Sequence, residues 1–248
     1  MLIHPTLDNL RSLKLHGMVQ ALESQMQTPD TLELPFDDRL GILVDAEMIR
    51  RENSRLQGRL RASQLKQSVC IEDLDFRTTR GLDRSLIATL STCQWLQLHR
   101  NIVIDGPTGS GKSFLASALA QKCCRDGYSV LYQRSTKLFH ELSIAKATGR
   151  YCKLLSSIAK RDVLVIDDFG LSALNDEQRH DLLEIMEDRY ERRSTIVAGQ
   201  LPVEHWHEAI GDATIADAIL DRLIHNSYKI HFTTKKSMRE KKSKEVDE

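Results

Sequence analysis

The sequence lacks the long apolar run that a membrane-spanning helix needs. No uninterrupted apolar stretch in its 248 residues approaches the ~20 residues required to cross a bilayer. The N-terminus MLIHPTLDNLRS also lacks a basic segment followed by an apolar core, so no secretion signal is predicted. We therefore expect a cytoplasmic protein that does not contact a membrane.

Paired cysteines and an excess of one charge are also missing. The five cysteines form an odd set without a CxxC pair, which favours reduced thiols over disulfides or a zinc site. The 35 basic and 35 acidic residues give a formal charge of zero. Any affinity for nucleic acid must therefore come from local patches. The length suits one main domain and a small second one.

The most informative segment that is present is GPTGSGKS, which fits the phosphate-binding pattern GxxxxGK(S/T) at every fixed position. Glycines let backbone N–H groups converge on phosphates, a lysine adds positive charge, and the last hydroxyl can ligate Mg²⁺. A chance glycine-rich turn is the alternative. The buried-strand pattern at Asn101–Asp105 and the helical pattern at Phe114–Gln121 argue against it. The segment predicts an ATP site at Gly106, Pro107, Thr108, Gly109, Ser110, Gly111, Lys112 and Ser113.

An acidic pair ends the next buried-strand pattern, Asp162–Ile166. Asp167 is predicted to hold Mg²⁺, together with Ser113, and Asp168 to orient or deprotonate the attacking water. An acidic pair that merely ends a strand before the turn at Phe169-Gly170 is the alternative, and the upstream ATP site favours catalysis. An Asp is shorter than the Glu that many such ATPases use. This difference keeps slow hydrolysis open.

The remaining pattern is that of an α/β domain. Strands are predicted at Tyr128–Gln133, Thr195–Gly199 and Tyr228–Phe232, and helices at Ser135–Ala147, Asp176–Arg193 and Thr214–His225. At the end of the second of these strands, Gln200 would lie near the γ-phosphate as a sensor, although an amide that caps the next turn is equally compatible. The elements predict a three-layer P-loop ATPase domain of the AAA+ type, with a central parallel sheet, at residues 81–232.

Arg222 lies on the predicted helix that follows the sensor strand. From there an arginine could stabilise charge on the γ-phosphate of a neighbouring subunit. A local ion pair with Asp217 or Asp221 is the alternative, and such exposed pairs are common and weak. We favour the first interpretation because AAA+ subunits have an incomplete site of their own. The rival candidates are Arg189, Arg192 and Arg193.

The N-terminal third predicts a separate helical domain, at residues 1–66, that binds DNA or a partner. Leu2–Met26 is amphipathic, and a long helix is predicted from Pro35 to about Gln64. Its first half carries apolar residues that we expect to pack on the first helix, namely Leu40, Leu43, Val44 and Met48. Its second half is basic and could follow a DNA backbone, although a solvated helix face is the alternative. The candidate DNA contacts are Arg50, Arg51, Arg55, Arg59, Arg61 and Lys66.

Two shorter segments complete the predicted organisation. Residues 67–80 would link the two domains, and residues 233–248 form a charged tail that we expect to be flexible. Because this tail is short, we expect the ATPase domain to be without the small helical lid that many AAA+ proteins carry.

Several motifs together resemble one family, the IstB-type helper ATPases of bacterial insertion sequences, which are related to DnaC-type helicase loaders. They are LRSLKLHGMVQALE, LVDAEMIRREN, the LDF of residues 74–76, GPTGSGKSFLASAL, VLVIDDFG, DRYERRSTIVAGQLPVEHWHE and AILDRLIHNS. The resemblance implies an ATP- and Mg²⁺-dependent homo-oligomer that assembles on double-stranded target DNA. It also implies that the protein deforms this DNA and presents it to an IstA-type transposase, which stimulates hydrolysis. The tail departs from the family, with KKSMREKK where relatives often have GESYR.

Two other functions remain open at this point. A DnaC-type helicase loader would bind single-stranded DNA, whose bases stack on aromatic side chains. The first 66 residues contain one aromatic, Phe36, which argues against a loader. A nucleotide switch with negligible turnover would suit the short Asp168. No carboxylate cluster apart from the ATP site suggests a strand-transfer enzyme.

Overall fold

The computed structural model describes residues 5–28, 31, 33–67, 69–76 and 81–233. The chain divides into two compact units, Met1–Gly58 and Arg59–Glu248. The predicted tail beyond residue 233 and residues 77–80 of the predicted linker lie outside the described residues. Within the described part, every helix is too short or too polar to cross a membrane.

The first unit contains three helices: α1 (Pro5–Ser12), α2 (His16–Gln27) and α3 (Phe36–Ser63), which continues past the division. The single helix predicted at the start is interrupted at Lys14, where the backbone takes a positive φ of 59°. Gly17 brings α2 against α3 so closely that a Cβ there would lie 2.6 Å from the carbonyl oxygen of Ala46. A glycine is therefore required at this crossing.

The predicted packing of the first half of α3 is wrong for most of its apolar residues. Leu43 is half-buried, but Leu40, Val44 and Met48 are 41%, 43% and 56% exposed. The side of α3 that faces the other helices instead carries the small Ala46 and the buried, charged Glu47. The apolar spacing correctly predicts a helix, but it does not predict which side of that helix packs.

The second unit is built on a five-stranded parallel sheet in the order β2-β3-β4-β1-β5. All five strands of the predicted sheet are present. The residues of β1 are all buried, which is expected for a parallel strand covered by helices on both faces. The strands are β1 (Asn101–Asp105), β2 (Val130–Arg134), β3 (Val163–Phe169), β4 (Ser194–Gly199) and β5 (Ser227–His231).

Eight helices of the second unit flank the sheet or connect its strands within the described residues. The sequence predicted four of them and missed the short ones, α4, α5, α8 and α10. Short 3₁₀ turns lie at Ile71–Asp73 and Val203–His205. The helices are α4 (Arg84–Ser91), α5 (Gln94–Gln97), α6 (Lys112–Arg125), α7 (Ser135–Ala147), α8 (Tyr151–Ala159), α9 (Asp176–Arg189), α10 (Trp206–Ile210) and α11 (Ala213–Ile224).

Parallel strands place all their carboxyl ends at one edge of the sheet. The segments that follow β1, β3 and β4 therefore meet there, and they carry the phosphate-binding loop, the acidic pair and Gln200. The fold is that of an AAA+ P-loop domain, as the sequence predicted.

Candidate nucleotide site

The phosphate-binding loop turns on three glycines in the left-handed region. Gly106, Gly109 and Gly111 have φ values of 135°, 78° and 106°. A Cβ at Gly106 would also lie 2.5 Å from the carbonyl oxygen of Phe232, so the loop starts in contact with the chain after β5. The hydroxyl of Ser110 is buried and has no hydrogen-bond partner among the described residues. A loop with converging N–H groups and an unused buried hydroxyl fits a phosphate group.

Lys112 begins α6 and folds back over its own loop. Its Nζ donates a hydrogen bond of 2.8 Å to the carbonyl oxygen of Pro107. Burial lowers the pKa of Lys112, whereas the nearby charges of Asp167, Asp168 and Asp105 oppose this shift. The lysine is thus placed among carboxylates at the end of the sheet, where it can exchange a carbonyl oxygen for a phosphate oxygen.

Asp167 is buried and uses both of its carboxylate oxygens. Ser113 Oγ donates to Oδ1 over 2.9 Å, and the phenol of Tyr132 on β2 donates to Oδ2. Two oxygen ligands from the loop and the strand are suited to Mg²⁺, which prefers carboxylate and hydroxyl oxygens. The structure therefore brings together both residues predicted to hold the metal ion.

Asp168 lies at an irregularity of β3. The register of β3 with β4 shifts between Ile166 and Phe169, and Asp168 has a φ of 58°, which is unusual for a residue other than glycine. Arg134, at the end of β2, approaches its Oδ2 to 3.5 Å. Asp168 is half-buried, whereas its neighbour Asp167 is buried, and Arg134 restrains the Asp168 carboxylate.

Gln200 follows β4 and contacts the phosphate-binding loop directly. The hydroxyl of Thr108 donates to its Oε1 over 2.7 Å. The amide is therefore bonded to the loop, which fits the predicted sensor better than a cap of the next turn.

Sequence reasoning missed three further side chains at this edge: Tyr132, Arg134 and His231. His231 Nδ1 lies 3.0 Å from Oδ2 of the buried Asp105, immediately before the loop. Tyr132 and Arg134 both belong to β2, which pairs with β3 so that Arg134 lies opposite Asp167. The sequence could have indicated some of these residues, because polar residues at the carboxyl ends of parallel strands gather at one edge of the sheet.

Arg222 lies at the opposite edge of the sheet. Asn101, which begins β1, donates from Nδ2 to the carbonyl oxygens of Arg222 and Leu223 over 3.1 Å each. The phosphate-binding loop follows the other end of β1. The full length of a buried strand thus separates Arg222 from the loop of its own chain.

The ion pair of Arg222 differs from the one considered from sequence. Its Nη2 lies 3.0 Å from Oε1 of Glu187 on α9, and its Nη1 donates to the carbonyl oxygen of Ala218. The two carboxylates predicted as alternatives instead pair with histidines, Asp217 with His207 and Asp221 with His225. A local pair exists, but its partner is Glu187.

Of the rival arginines, Arg189 has a structural role. It is 1% exposed, and its guanidinium donates to the carbonyl oxygens of Ile158 and Arg161 over 2.9 and 2.8 Å. Burial lowers its pKa to about 9. Arg193 pairs with Asp162 over 3.2 Å, whereas Arg192 is exposed.

Two of the six candidate DNA contacts hold the first unit together. Arg51 Nε donates to Glu47 Oε1 over 2.7 Å, and Arg50 contacts both oxygens of the same carboxylate. Gly17 donates its backbone N–H to Glu47 over 2.6 Å. Although burial alone would raise the pKa of Glu47, the bonds from Arg51, Arg50 and Gly17 lower it to about 2. Glu47 therefore offsets part of the positive charge that the sequence predicted for this half of α3.

The other four basic residues differ among themselves. Arg59 donates from Nε to the carbonyl oxygen of Cys124 over 2.8 Å and so packs on the end of α6. Arg55, Arg61 and Lys66 are exposed. These three are the members of the predicted set that are best placed to meet a phosphate backbone.

Comparison with known proteins agrees with this geometry. The family model described as "IstB-like ATP binding protein" matches residues 8–246. An insertion sequence ATP-binding protein of Sinorhizobium fredii is 46% identical over 98% of this chain and 100% of its own length. The ATP-binding protein of insertion sequence IS21 from Pseudomonas aeruginosa is 29% identical over 88% of this chain and 82% of its own.

Solved structures show the same fold at low identity. The DnaC helicase loader matches 66% of this chain and 97% of its own with a TM-score of 0.55 at 18% identity. DnaI matches 67% of this chain and 92% of its own with a TM-score of 0.59 at 20% identity.

Proposed function

The chain belongs to the family of IstB-like ATP-binding proteins, and from this membership we propose that it is an ATP-dependent DNA-binding helper of transposition. It would assemble as a homo-oligomer on target duplex DNA and present that DNA to an IstA-type transposase. The observation that carries the proposal is a division of the site: the ATP-binding groups lie at one edge of the sheet and Arg222 at the other.

Hydrolysis would use the groups at the carboxyl edge. Lys112 would leave the Pro107 carbonyl for the β- and γ-phosphates, and Gln200 would leave Thr108 to sense the γ-phosphate. Ser113 and Asp167 would hold Mg²⁺, which supplies charge neutralisation on the phosphates when bound. Asp168 would orient or deprotonate the attacking water.

The arginine that stabilises charge on the γ-phosphate would come from a neighbouring subunit. Arg222 cannot serve its own loop, since the length of β1 separates the two, but its edge can face the loop of another copy. An arginine supplied in trans accelerates phosphoryl transfer by about 10³- to 10⁵-fold. ATP would therefore be hydrolysed only in an assembly, and ATP binding would favour that assembly.

DNA and the transposase enter the proposal from the relatives and from local charge. The relatives named above are proteins of insertion sequences. Arg55, Arg61 and Lys66 offer exposed positive charge that can meet duplex phosphates without reading sequence.

A nucleotide switch is the second candidate, and one contact favours it. Arg134 lies 3.5 Å from Asp168, and there it would compete with the attacking water for that carboxylate. If this contact persists with ATP bound, the protein would assemble with ATP and turn it over slowly. A helicase loader has only the fold in its favour.

Two substitutions separate binding from hydrolysis. Asp168→Asn is expected to retain ATP-dependent duplex binding while turnover falls, whereas Lys112→Ala should lose both. Lys122→Ala is the matched control, because Lys122 lies on the same helix and pairs with Asp126 away from the loop. Fluorescence anisotropy on labelled duplex and phosphate release measure the two outcomes. Equal DNA affinity with ATP, with ADP and without nucleotide would overturn the proposal.

A further inference from the structure

The phenol of Tyr132 on β2 reaches the carboxylate of Asp167 on β3. In the parallel pairing of these strands, Tyr132 lies opposite Val165, and Asp167 follows two residues further along β3. Side chains two residues apart on a strand point to the same face and lie about 6.6 Å apart. The ring of Tyr132 therefore runs along the sheet and brings the hydroxyl at its far end to Asp167. A phenylalanine at this position would end one atom short.

Asp167 is a buried carboxylate that depends on its hydrogen-bond donors. It is 1% exposed, and each of its oxygens accepts a hydrogen bond from a side-chain hydroxyl, Oδ1 from Ser113 over 2.9 Å and Oδ2 from Tyr132. A charged group that is buried without hydrogen bonds is costly. Ser113 belongs to the phosphate-binding loop and is itself assigned to Mg²⁺, whereas Tyr132 belongs to the sheet. Tyr132 therefore gives the carboxylate an anchor that is independent of the metal ligands.

The phenol acts here as a donor. Burial and the charge of Asp167 raise the pKa of Tyr132, so the phenol keeps its proton. An ionised carboxylate only accepts hydrogen bonds, which fixes the direction of this one. Because Tyr132 is 3% exposed, its ring also leaves little room for a water molecule that could replace the hydroxyl. The bond to Oδ2 thus restrains the rotation of the carboxylate, and with it the direction of Oδ1 towards the loop.

We propose that Tyr132 is a positioning residue for metal binding, whose hydroxyl holds the Asp167 carboxylate in the orientation that meets the Mg²⁺ accompanying ATP. The hydroxyl acts through Asp167 and not on the metal ion itself. The proposal rests on the part of the proposed function that assigns Mg²⁺ to Ser113 and Asp167. Loss of an outer hydrogen-bond partner of a metal ligand typically lowers metal affinity by about 10- to 100-fold.

The test measures nucleotide binding without turnover. A fluorescent, non-hydrolysable ATP analogue would be titrated into the full chain in EDTA and at a series of Mg²⁺ concentrations. Tyr132→Phe removes the hydroxyl and keeps the ring. It should bind the analogue like the wild type in EDTA, because the phosphate-binding loop is unchanged. It should need about 10- to 100-fold more Mg²⁺ for the same gain in affinity. Mn²⁺ in place of Mg²⁺, followed by electron paramagnetic resonance, should show the same loss of metal affinity directly.

Tyr151→Phe is the matched control. The phenol of Tyr151 donates to Oδ1 of Asp181 over 2.7 Å, and Asp181 is 2% exposed. This variant therefore also takes a phenol from a buried carboxylate, but between α8 and α9 instead of at the end of the sheet. It should lower the midpoint of thermal unfolding and leave the Mg²⁺ requirement unchanged.

A second variant keeps a donor at the same place. Tyr132→4-aminophenylalanine retains the ring and puts an N–H group where the hydroxyl was, so it should recover most of the metal affinity that Tyr132→Phe loses. Circular dichroism confirms that the variants are folded. If this variant needs as much Mg²⁺ as Tyr132→Phe, the hydrogen bond is not the cause and the proposal is overturned.

Two other results would overturn the proposal, and they differ in what else they affect. A Tyr132→Phe protein with the Mg²⁺ requirement of the wild type, or a lower one, would contradict this proposal and leave the proposed function standing. A wild type whose affinity for the analogue does not depend on Mg²⁺ would contradict the assignment of the metal ion to Ser113 and Asp167 as well. The measurements need neither DNA nor a transposase, so failure of those parts of the proposed function leaves the role of Tyr132 standing.

Discussion

Replacement of Arg222 by alanine distinguishes two possible roles of this arginine, a local ion pair and a contact in trans. The loss of the first would have a small effect and the loss of the second a very large one. The Arg222–Glu187 pair is partly exposed, with side chains 28% and 51% accessible. An exposed pair contributes at most ~1 kcal/mol to stability. An arginine that stabilises the γ-phosphate in trans is worth about 10³- to 10⁵-fold in turnover. If Arg222 acts in trans, Arg222→Ala should keep ATP binding and lose nearly all hydrolysis.

Glu187→Gln is the matched control, because it breaks the same ion pair and leaves the arginine in place. Turnover would be measured as phosphate release with saturating ATP and duplex DNA, and nucleotide affinity with a fluorescent ATP analogue. Glu187→Gln should retain turnover within about tenfold of the wild type, since it removes only the weak pair. Arg222→Ala turnover within that same range would refute the trans role.

Mixing two inactive variants tests the trans role of Arg222 independently. Arg222→Ala protein has an intact Asp168, and Asp168→Asn protein has an intact Arg222, so some interfaces in a mixed assembly would be complete. Activity should therefore reappear on mixing two nearly inactive proteins. Two proteins that co-assemble yet stay inactive would place Arg222 outside the site.

Three further predictions concern Gly106 in the loop, the buried Glu47 and the exposed bases in and just after α3. Gly106→Ala should abolish ATP binding in a fluorescent-analogue assay, because the added Cβ would lie 2.5 Å from a carbonyl oxygen; normal affinity would contradict the clash. Glu47→Gln should lower the midpoint of thermal unfolding at neutral pH. Since folding lowers the pKa of Glu47 from 4.5 to about 2, its contribution is present above about pH 4.5 and fades towards pH 2, where variant and wild type should converge. Replacing Arg55, Arg61 and Lys66 with alanine should flatten the salt dependence of duplex binding by roughly one unit per lost phosphate contact, with ATP affinity unchanged; an unchanged slope would move the DNA contacts elsewhere.

The sheet and the phosphate-binding loop could be predicted because their signals are local. A buried strand, a glycine loop and a helix follow one another in sequence, and the loop glycines do adopt the positive φ that the motif requires. The acidic pair was predicted for the same reason, at the end of an apolar run. In each case the residues that define the feature are neighbours along the chain.

Features that depend on distant residues were less predictable. The Arg222 partner is Glu187, 35 positions away, and no periodicity links the two. The roles of Arg50 and Arg51 depend on Glu47, which is buried only because Gly17 lets α2 approach α3. Leu40, Val44 and Met48 were predicted to pack on the first helix but are exposed, since helical spacing shows that an apolar row exists but not what covers it. The role of Arg222 and the DNA contacts stay predictions.

The most direct test of the account is duplex DNA affinity as a function of nucleotide. Anisotropy of labelled duplex and of the matching single strand would be titrated with the full chain, with ATP, with a non-hydrolysable ATP analogue, with ADP and without nucleotide. We expect tight duplex binding with ATP and with the analogue, and weak binding otherwise, because ATP bound between subunits completes the site and holds the assembly together. Affinity that is the same in all four states, or stronger for the single strand than for the duplex, would contradict the account.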